Sequence, residues 1–434
     1  MKTKLLIFGM TGDLSVRKLL PSLKQIITTG NFDDLQIIGV SRRQVDVGNL
    51  LSEAIGDTIL NDRVSVFTMN ISVKDEYMRL KSHLNIQPDE QLIIYLAIPP
   101  QAAGQVVDML GAAGINESNV KIMLEKPFGL DLESARDMIA RTEKYFEEQQ
   151  IYRIDHYLAK QMAQNIVTFR SENALFSYLW SNEYIEKIEV VAYEKIGIEA
   201  RAQFYEQTGA IRDFLQGHLL QLLALTIMDT DNFDIESIEA RRLDALKDIT
   251  PAEHTKAIRA QYQGYRDEVE NSKSCVETFV SVELESKNPR WTGVPFYLST
   301  GKALDKKLTQ VRVHFKKQSD SQANCLTFNI QPHEGVDIAL NIGSPDYEYT
   351  HEAKHLAFRY PEDTVLPDAY EQVIVDAILS RKNIFPTGAE IIRSWEVLQP
   401  LLNHWAFCEP GTMQLYPKGS TAEDIIKNSS KTVR

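Results

Sequence analysis

Leu5-Leu6-Ile7-Phe8-Gly9-Met10-Thr11-Gly12-Asp13-Leu14 is a four-residue apolar run that stops on a glycine turn, and a helix follows whose first turn lies near Arg17 and Lys18. A glycine-rich strand-to-helix turn leaves backbone N–H groups facing outward at the positive end of the helix dipole, where a pyrophosphate can sit. The spacing is GxxGDL rather than GxGxxG, so the pattern alone also fits a plain tight turn. Its place directly after an N-terminal strand favours the dinucleotide reading.

Outward from this turn, short apolar runs alternate with longer amphipathic stretches. LQIIGV (35–40), LIIYLA (92–97), VKIML (120–124) and IYRID (151–155) are continuous rather than alternating, as strands covered by helices on both faces should be. Helices are expected over 101–114 and over 131–148, the second with Asp131 as its N-cap. Residues 1–155 therefore read as an α/β Rossmann-type dinucleotide-binding domain.

Beyond residue 156 the pattern changes. A long helix is expected over 209–228, followed by a polar, charged segment to 275. The runs 276–285, 294–300, 309–315, 324–331 and 335–342 then read as half-buried antiparallel strands. A helical region over 368–405 closes this part. Residues 156–434 thus read as an α+β domain with a large, mainly antiparallel sheet.

The 434 residues hold 47 Lys+Arg against 60 Asp+Glu, a net charge of −13, and that surface offers no field for nucleic acid or an anionic membrane. An anionic small molecule would need a local cluster of cations. Cys275, Cys325 and Cys408 are scattered, odd in number and outside any CxxC pair, which fits a reducing, cytoplasmic setting. The first apolar run is too short for a signal peptide, and no run approaches the roughly 18 residues of a membrane span.

Several motifs can carry chemistry. The second strand ends in Ser41-Arg42-Arg43, where NAD enzymes carry an acid for the ribose 2′-hydroxyl. Two arginines suit a 2′-phosphate instead, or a solvated basic turn. Asp155 and His156 stand at a strand's carboxyl end; with a helix from 156 onward, His156 and Lys160 would share one face beside Tyr157, forming an anion clamp. Lys126, just after the buried run 120–124, can reach the same crevice. His218, in the apolar 209–228 stretch with Arg212 and Asp213, is either a satisfied core histidine or a general base. His351-Glu352-Ala353-Lys354-His355 matches the HExxH zinc signature, but no apolar helical periodicity surrounds it, so a solvated strand or loop is expected and no metal site.

Together, GMTGDLSVRKLLPSL (9–23), LEKPFG (124–129), RIDHYLAKQMAQNI (153–166), TGAIRDFLQGHLLQ (208–221), GVPFYLSTGKAL (293–304) and IQPHEG (330–335) resemble the glucose-6-phosphate dehydrogenase family, in the family's order and across nearly the whole chain. The resemblance implies that His218 is the base taking the anomeric hydroxyl proton and that Asp155 orients it. It implies His156, Tyr157 and Lys160 as a phosphate clamp. Lys18, Lys126, Glu194, Asp213, Lys302, Lys307 and Gln331 would contact the sugar phosphate. Gly9, Thr11, Gly12, Asp13, Leu14 and Lys126 would serve the cofactor, with Arg42 on the 2′-phosphate, so NADP is favoured and NAD possible. A homodimer built on the large sheet is also implied.

The chain departs from the family pattern at Ser15-Val16, Ala159, Gln161, Gly217 and Ser299, and is shorter than typical members. Ala159 and Gly217 border the sugar site, so a dehydrogenase of another aldose phosphate stands as an alternative. A catalytically silent cofactor or sugar-phosphate sensor is the other; retention of His218 and Asp155 argues against it.

Overall fold

A strand that is apolar on both faces must be covered on both, and Leu5, Leu6, Ile7 and Phe8 are each 0% exposed. They lie in β1 (Lys2–Phe8), which joins β2 (Leu35–Ser41), β3 (Val64–Thr68), β4 (Glu90–Leu96), β5 (Val120–Leu124) and β6 (Ile151–Arg153) in a parallel sheet of order β3-β2-β1-β4-β5-β6. The order reverses beside β1, whose Phe8 pairs with Val40 on one side and Leu96 on the other. Such a switch point opens a crevice at the strands' carboxyl ends. The molecule is described by a computed structural model covering residues 2–318, 322–345, 347, 350–361, 364–408 and 411–432.

The chain divides into two units: Met1–Gly129 with Glu133–Ala159 and Pro367–Gly388, and Leu130–Leu132 with Lys160–Leu366 and Ala389–Arg434. The region expected to be helical over 368–405 is two helices, Ala369–Ile378 and Gly388–Trp405. The first of these packs within the nucleotide-type unit. There Gln91 Nε2 donates to the Ile378 carbonyl at 3.0 Å and Lys121 Nζ to the Ala377 carbonyl at 2.6 Å.

The second unit holds a nine-stranded sheet. Its members are β7 (Ile185–Tyr193), β8 (Ala257–Tyr262), β9 (Phe279–Leu284), β10 (Phe296–Gly301), β11 (Leu308–Phe315), β12 (Cys325–Gln331), β13 (Gly335–Gly343), β14 (His351–Arg359) and β15 (Gln414–Tyr416). Their order is β14-β13-β12-β11-β7-β10-β9-β8-β15, antiparallel except for the pairs β7/β10 and β8/β15. In β11, Thr309, Val311 and Val313 are buried while their neighbours are not, the alternation of a sheet with one covered face.

Three expectations change here. The stretch 209–228 is helical from Ile211 through Ile227, but its first half, Ile211–Leu219, is π-helical before the α-helix Leu220–Ile227, and Gly209, at φ 62° and ψ −176°, marks its start. Apolar spacing over two turns does not distinguish π-helical from α-helical winding. Residues 156–159 form a turn, and the helix starts only at Gln161, so His156 and Lys160 do not share a helical face. Cys275 and Cys408 form a disulfide across a separation of 133 residues, a pairing that spacing could not reveal, while Cys325 is free.

HExxH lies in β14, every residue of which is exposed. Two histidines four apart on a strand stand about 13 Å from each other, too far to share one ion. Among the described residues no group of three or more His, Cys, Asp or Glu is placed to hold a metal, and no helix is long and apolar enough to cross a membrane.

Candidate active site

In the first unit the turn after β1 is fixed by close packing. Gly9 has φ 84°, and a Cβ there would stand 2.2 Å from the Ala97 carbonyl oxygen. Only glycine fits both the conformation and the space. The turn closes on itself: the Gly12 N–H donates to the Gly9 carbonyl at 2.9 Å, Ser15 Oγ donates to the same oxygen at 2.9 Å, and the Val16 N–H reaches Gly12 at 3.0 Å. Asp13 and Leu14 open the helix, and exposed Asp13 pairs with Arg17 at 2.8 Å.

A cleft of about 640 Å³ borders this turn, lined by Gly9, Thr11, Gly12, Arg42, Arg43 and Ser72 among others. Arg42 and Arg43 are exposed and make no ion pair with any described residue. Close-packed backbone on one wall and two uncommitted guanidinium groups on the other fit a dinucleotide carrying an extra phosphate. The first-unit residues expected to touch the cofactor, Gly9, Thr11, Gly12, Asp13, Leu14 and Arg42, therefore lie at or beside one opening, and Lys126 follows β5.

The same unit places Lys18 and His156 around Tyr370. The Lys18 ammonium lies 6.0 Å from the centre of the Tyr370 ring and pairs with Asp368 at 3.2 Å, while the His156 ring stacks on Tyr370 at 6.3 Å. Burial raises the Tyr370 phenol above its usual range. Nothing near His156 in sequence announces Tyr370; it arrives on the 369–378 helix. Asp155 is 1% exposed, and its Oδ1 accepts the Tyr157 N–H at 2.9 Å. Nearby, burial pushes the Glu125 carboxyl up to about 7, with the Tyr95 hydroxyl and Lys126 opposing and Asp155 reinforcing the rise. The Lys126–Pro127 peptide is cis.

In the second unit, His218 is 3% exposed in the helical segment that packs against β7 and β10. The Phe214 ring meets it edge-on at 5.4 Å. Lys302, 1% exposed just beyond β10, is ion-paired with Glu194 just beyond β7. Its ammonium also lies 5.0 Å from the centre of the Tyr205 ring and 5.9 Å from that of Phe214. Two parallel neighbouring strands thus end in the two charges, and the Glu194 N–H donates to the Gly301 carbonyl at 2.9 Å. Burial raises the Tyr205 phenol strongly, and Asp213 and Glu277 add to the rise.

Glu194, Asp213, His218 and Lys302 are therefore brought into one neighbourhood, with Tyr205 and Phe214 as aromatic walls the sequence reading missed. Exposed Lys307 precedes Leu308, which pairs with Tyr193 beside Glu194. Gln331 lies further off, at the end of β12, donating to Thr309 Oγ1 at 3.0 Å. Lys160 stands at the N-cap position of the helix from Gln161, near Glu334, whose carboxylate accepts the Met162 N–H at 2.9 Å.

This arrangement agrees with what the chain matches. Residues 6–165 match the glucose-6-phosphate dehydrogenase NAD binding domain and residues 167–432 the C-terminal domain of the same family. Glucose-6-phosphate 1-dehydrogenase of Borreliella burgdorferi is 33% identical over 93% of this chain and 92% of its own; that of Chlamydia trachomatis is 35% identical over 86% and 95%. A glucose-6-phosphate dehydrogenase solved in complex with its substrate glucose-6-phosphate superposes with a TM-score of 0.90 at 29% identity, covering 98% of this chain and 97% of that one. With both halves matched in order and the fold shared along its length, the chain belongs to the glucose-6-phosphate dehydrogenase family.

Proposed function

We propose that the protein oxidises glucose 6-phosphate at C1 to 6-phosphogluconolactone with hydride transfer to NADP, opening the oxidative branch of the pentose phosphate pathway. The observation that carries this reading is buried His218 beside Phe214 and the Lys302–Glu194 pair, within the family's own sequence blocks.

Oxidising a hemiacetal needs a proton acceptor and a hydride acceptor in line, without a covalent intermediate. The nicotinamide ring, when bound, supplies the hydride acceptor. His218 takes the anomeric proton; Asp155 is assigned to orient its imidazole. His156, Tyr157 and Lys160 bind the phosphate, and Lys18, Lys126, Glu194, Asp213, Lys302, Lys307 and Gln331 the remainder of the sugar phosphate. Gly9, Thr11, Gly12, Asp13 and Leu14 take the pyrophosphate side of the dinucleotide, with Lys126 assisting. Arg42, which is exposed and makes no ion pair with any described residue, supports NADP over NAD.

Growth of the reduced-nicotinamide absorbance with glucose 6-phosphate and NADP tests the proposal; no growth with either NADP or NAD would overturn it. A panel of other aldose phosphates separates the alternative substrate, and ligand binding without turnover identifies a sensor. The proposal includes a homodimer, supported by the half-exposed apolar residues Ile342, Leu356 and Phe358 on β13 and β14, and sedimentation tests it. It also includes a cytoplasmic location, since both ligands are multiply charged and do not cross a membrane unaided. Alkylating thiols during lysis tests that setting against the Cys275–Cys408 bond.

A further inference from the structure

Resting on this function, we propose that Glu277 is a positioning residue for His218, holding the start of the base's helical segment in fixed register with Lys302. Glu277 is 5% exposed and lies just before β9. Its Oε1 accepts the Ile211 N–H at 3.1 Å, and its main-chain carbonyl accepts the Ala210 N–H at 3.0 Å. One residue therefore satisfies two successive donors at the beginning of the π-helical segment that carries Asp213 and His218.

The fit is specific. Gly209 sits at φ 62° and ψ −176°, a conformation essentially closed to other residues, and a Cβ there would stand 2.5 Å from Glu277 Oε1. Glycine thus serves both the turn and the approach of the carboxyl group. Burial raises the Glu277 carboxyl, opposed by the Ile211 N–H and the cations Arg212 and Arg259.

Glu277 is itself held firmly. Gln261 Nε2 donates to the Val276 carbonyl at 2.9 Å, and Thr278 Oγ1 accepts the Tyr262 N–H at 2.8 Å. The Thr278 carbonyl accepts the Lys302 N–H at 2.9 Å, and Tyr416 Oη donates to the Lys302 carbonyl at 2.7 Å. The three residues 276–278 consequently grip the His218 segment with one side chain and the Lys302 backbone with the next carbonyl. They set the distance between the base and a sugar-phosphate contact, with the Glu277 carboxyl group buried against the Ile211 N–H.

The test uses the full-length enzyme with Glu277→Ala, Glu277→Gln and Glu277→Asp, glucose 6-phosphate and NADP as substrates, and glucose 6-phosphate deuterated at C1 for the isotope effect. Misplacing a catalytic group by about 1 Å can cost on the order of 100-fold. Glu277→Ala is therefore expected to lose roughly 30- to 100-fold in kcat/KM for glucose 6-phosphate, with a larger isotope effect and a KM for NADP within about twofold of the parent. Glu277→Gln keeps an acceptor of the same reach and should recover to within about fivefold. A packing role alone would lower kcat with the folded fraction and leave both KM values and the isotope effect unchanged; that result overturns the proposal, as does a Gln variant as impaired as Ala. If Glu277→Ala does not fold, Glu277→Asp carries the comparison, and a parental isotope effect there overturns it equally. No turnover by the unaltered protein would remove the function and this role together, whereas turnover with indifferent variants removes the role alone.

Discussion

Tyr95 donates its phenolic hydrogen to Glu125 Oε1 at 2.5 Å, joining the carboxyl end of β4 to the residue that follows β5. Burial raises the Glu125 carboxyl to about 7. Between pH of about 4.5 and 7 the folded chain binds more protons here than the unfolded chain, so rising pH costs stability across that window and no further above it. Glu125→Gln removes the cost. It should stabilise the protein at pH 8 by on the order of 2 kcal/mol, discounted for partial solvation, and the gain should vanish by pH 4. Urea unfolding of both proteins at the two pH values checks this; a gain that grows toward acid would refute it.

Gly9→Ala brings a methyl group against the Ala97 carbonyl at a position with φ 84°. Binding of NADP and NAD should weaken together, by about 30-fold or more, because the turn rather than a charge is lost. Gly30→Ala is the control: φ is 72° but nothing lies within 4 Å. It should cost about 1–2 kcal/mol of stability with unchanged cofactor affinity. Fluorescence titration of each variant distinguishes the two effects.

His218→Asn should lower kcat by about 10²–10⁴-fold while KM for glucose 6-phosphate moves little, as expected when a proton acceptor acts only in the transition state. Steady-state kinetics read this directly, and near-parental turnover would remove His218 as the base.

Arg42→Ala should raise KM for NADP roughly 10- to 100-fold, the worth of about 1.5–3 kcal/mol for a hydrogen bond to a charged group. KM for NAD should change less than about threefold. Equal effects on the two cofactors would withdraw the 2′-phosphate assignment.

Much of the first unit was legible because its strands are buried on both faces and read as unbroken apolar runs. β3 escaped, being short and only partly buried. The most costly miss is β7, at the centre of the large sheet. Lys187 and Glu189 lie on its open face, and Val190-Val191-Ala192 interrupts the alternation, so no period stands out. The proposed site residues were named from motifs, whereas the residues that pack around them were not. Tyr370 reaches His156 from more than two hundred residues away, Tyr205 and Phe214 meet Lys302 only in three dimensions, and Glu277 acts through a backbone N–H. None of those contacts has a local signature. The π-helical winding of Ile211–Leu219 was invisible for a related reason: apolar spacing does not tell it from an α-helix.

The Cys275–Cys408 bond makes the second unit partly a ring rather than a line. A protease cut at any single peptide bond between those residues leaves both pieces covalently joined, and they separate only when a reductant is added. The ring contains β9 through β14 and the helix ending at Trp405, so it includes the strand leading to Lys302 and Glu277, which holds the start of the His218 segment. Closing a loop of 133 residues is worth about 5 kcal/mol in a chain-entropy estimate. Where thiols are kept reduced, the same sheet has to stand on its packing alone.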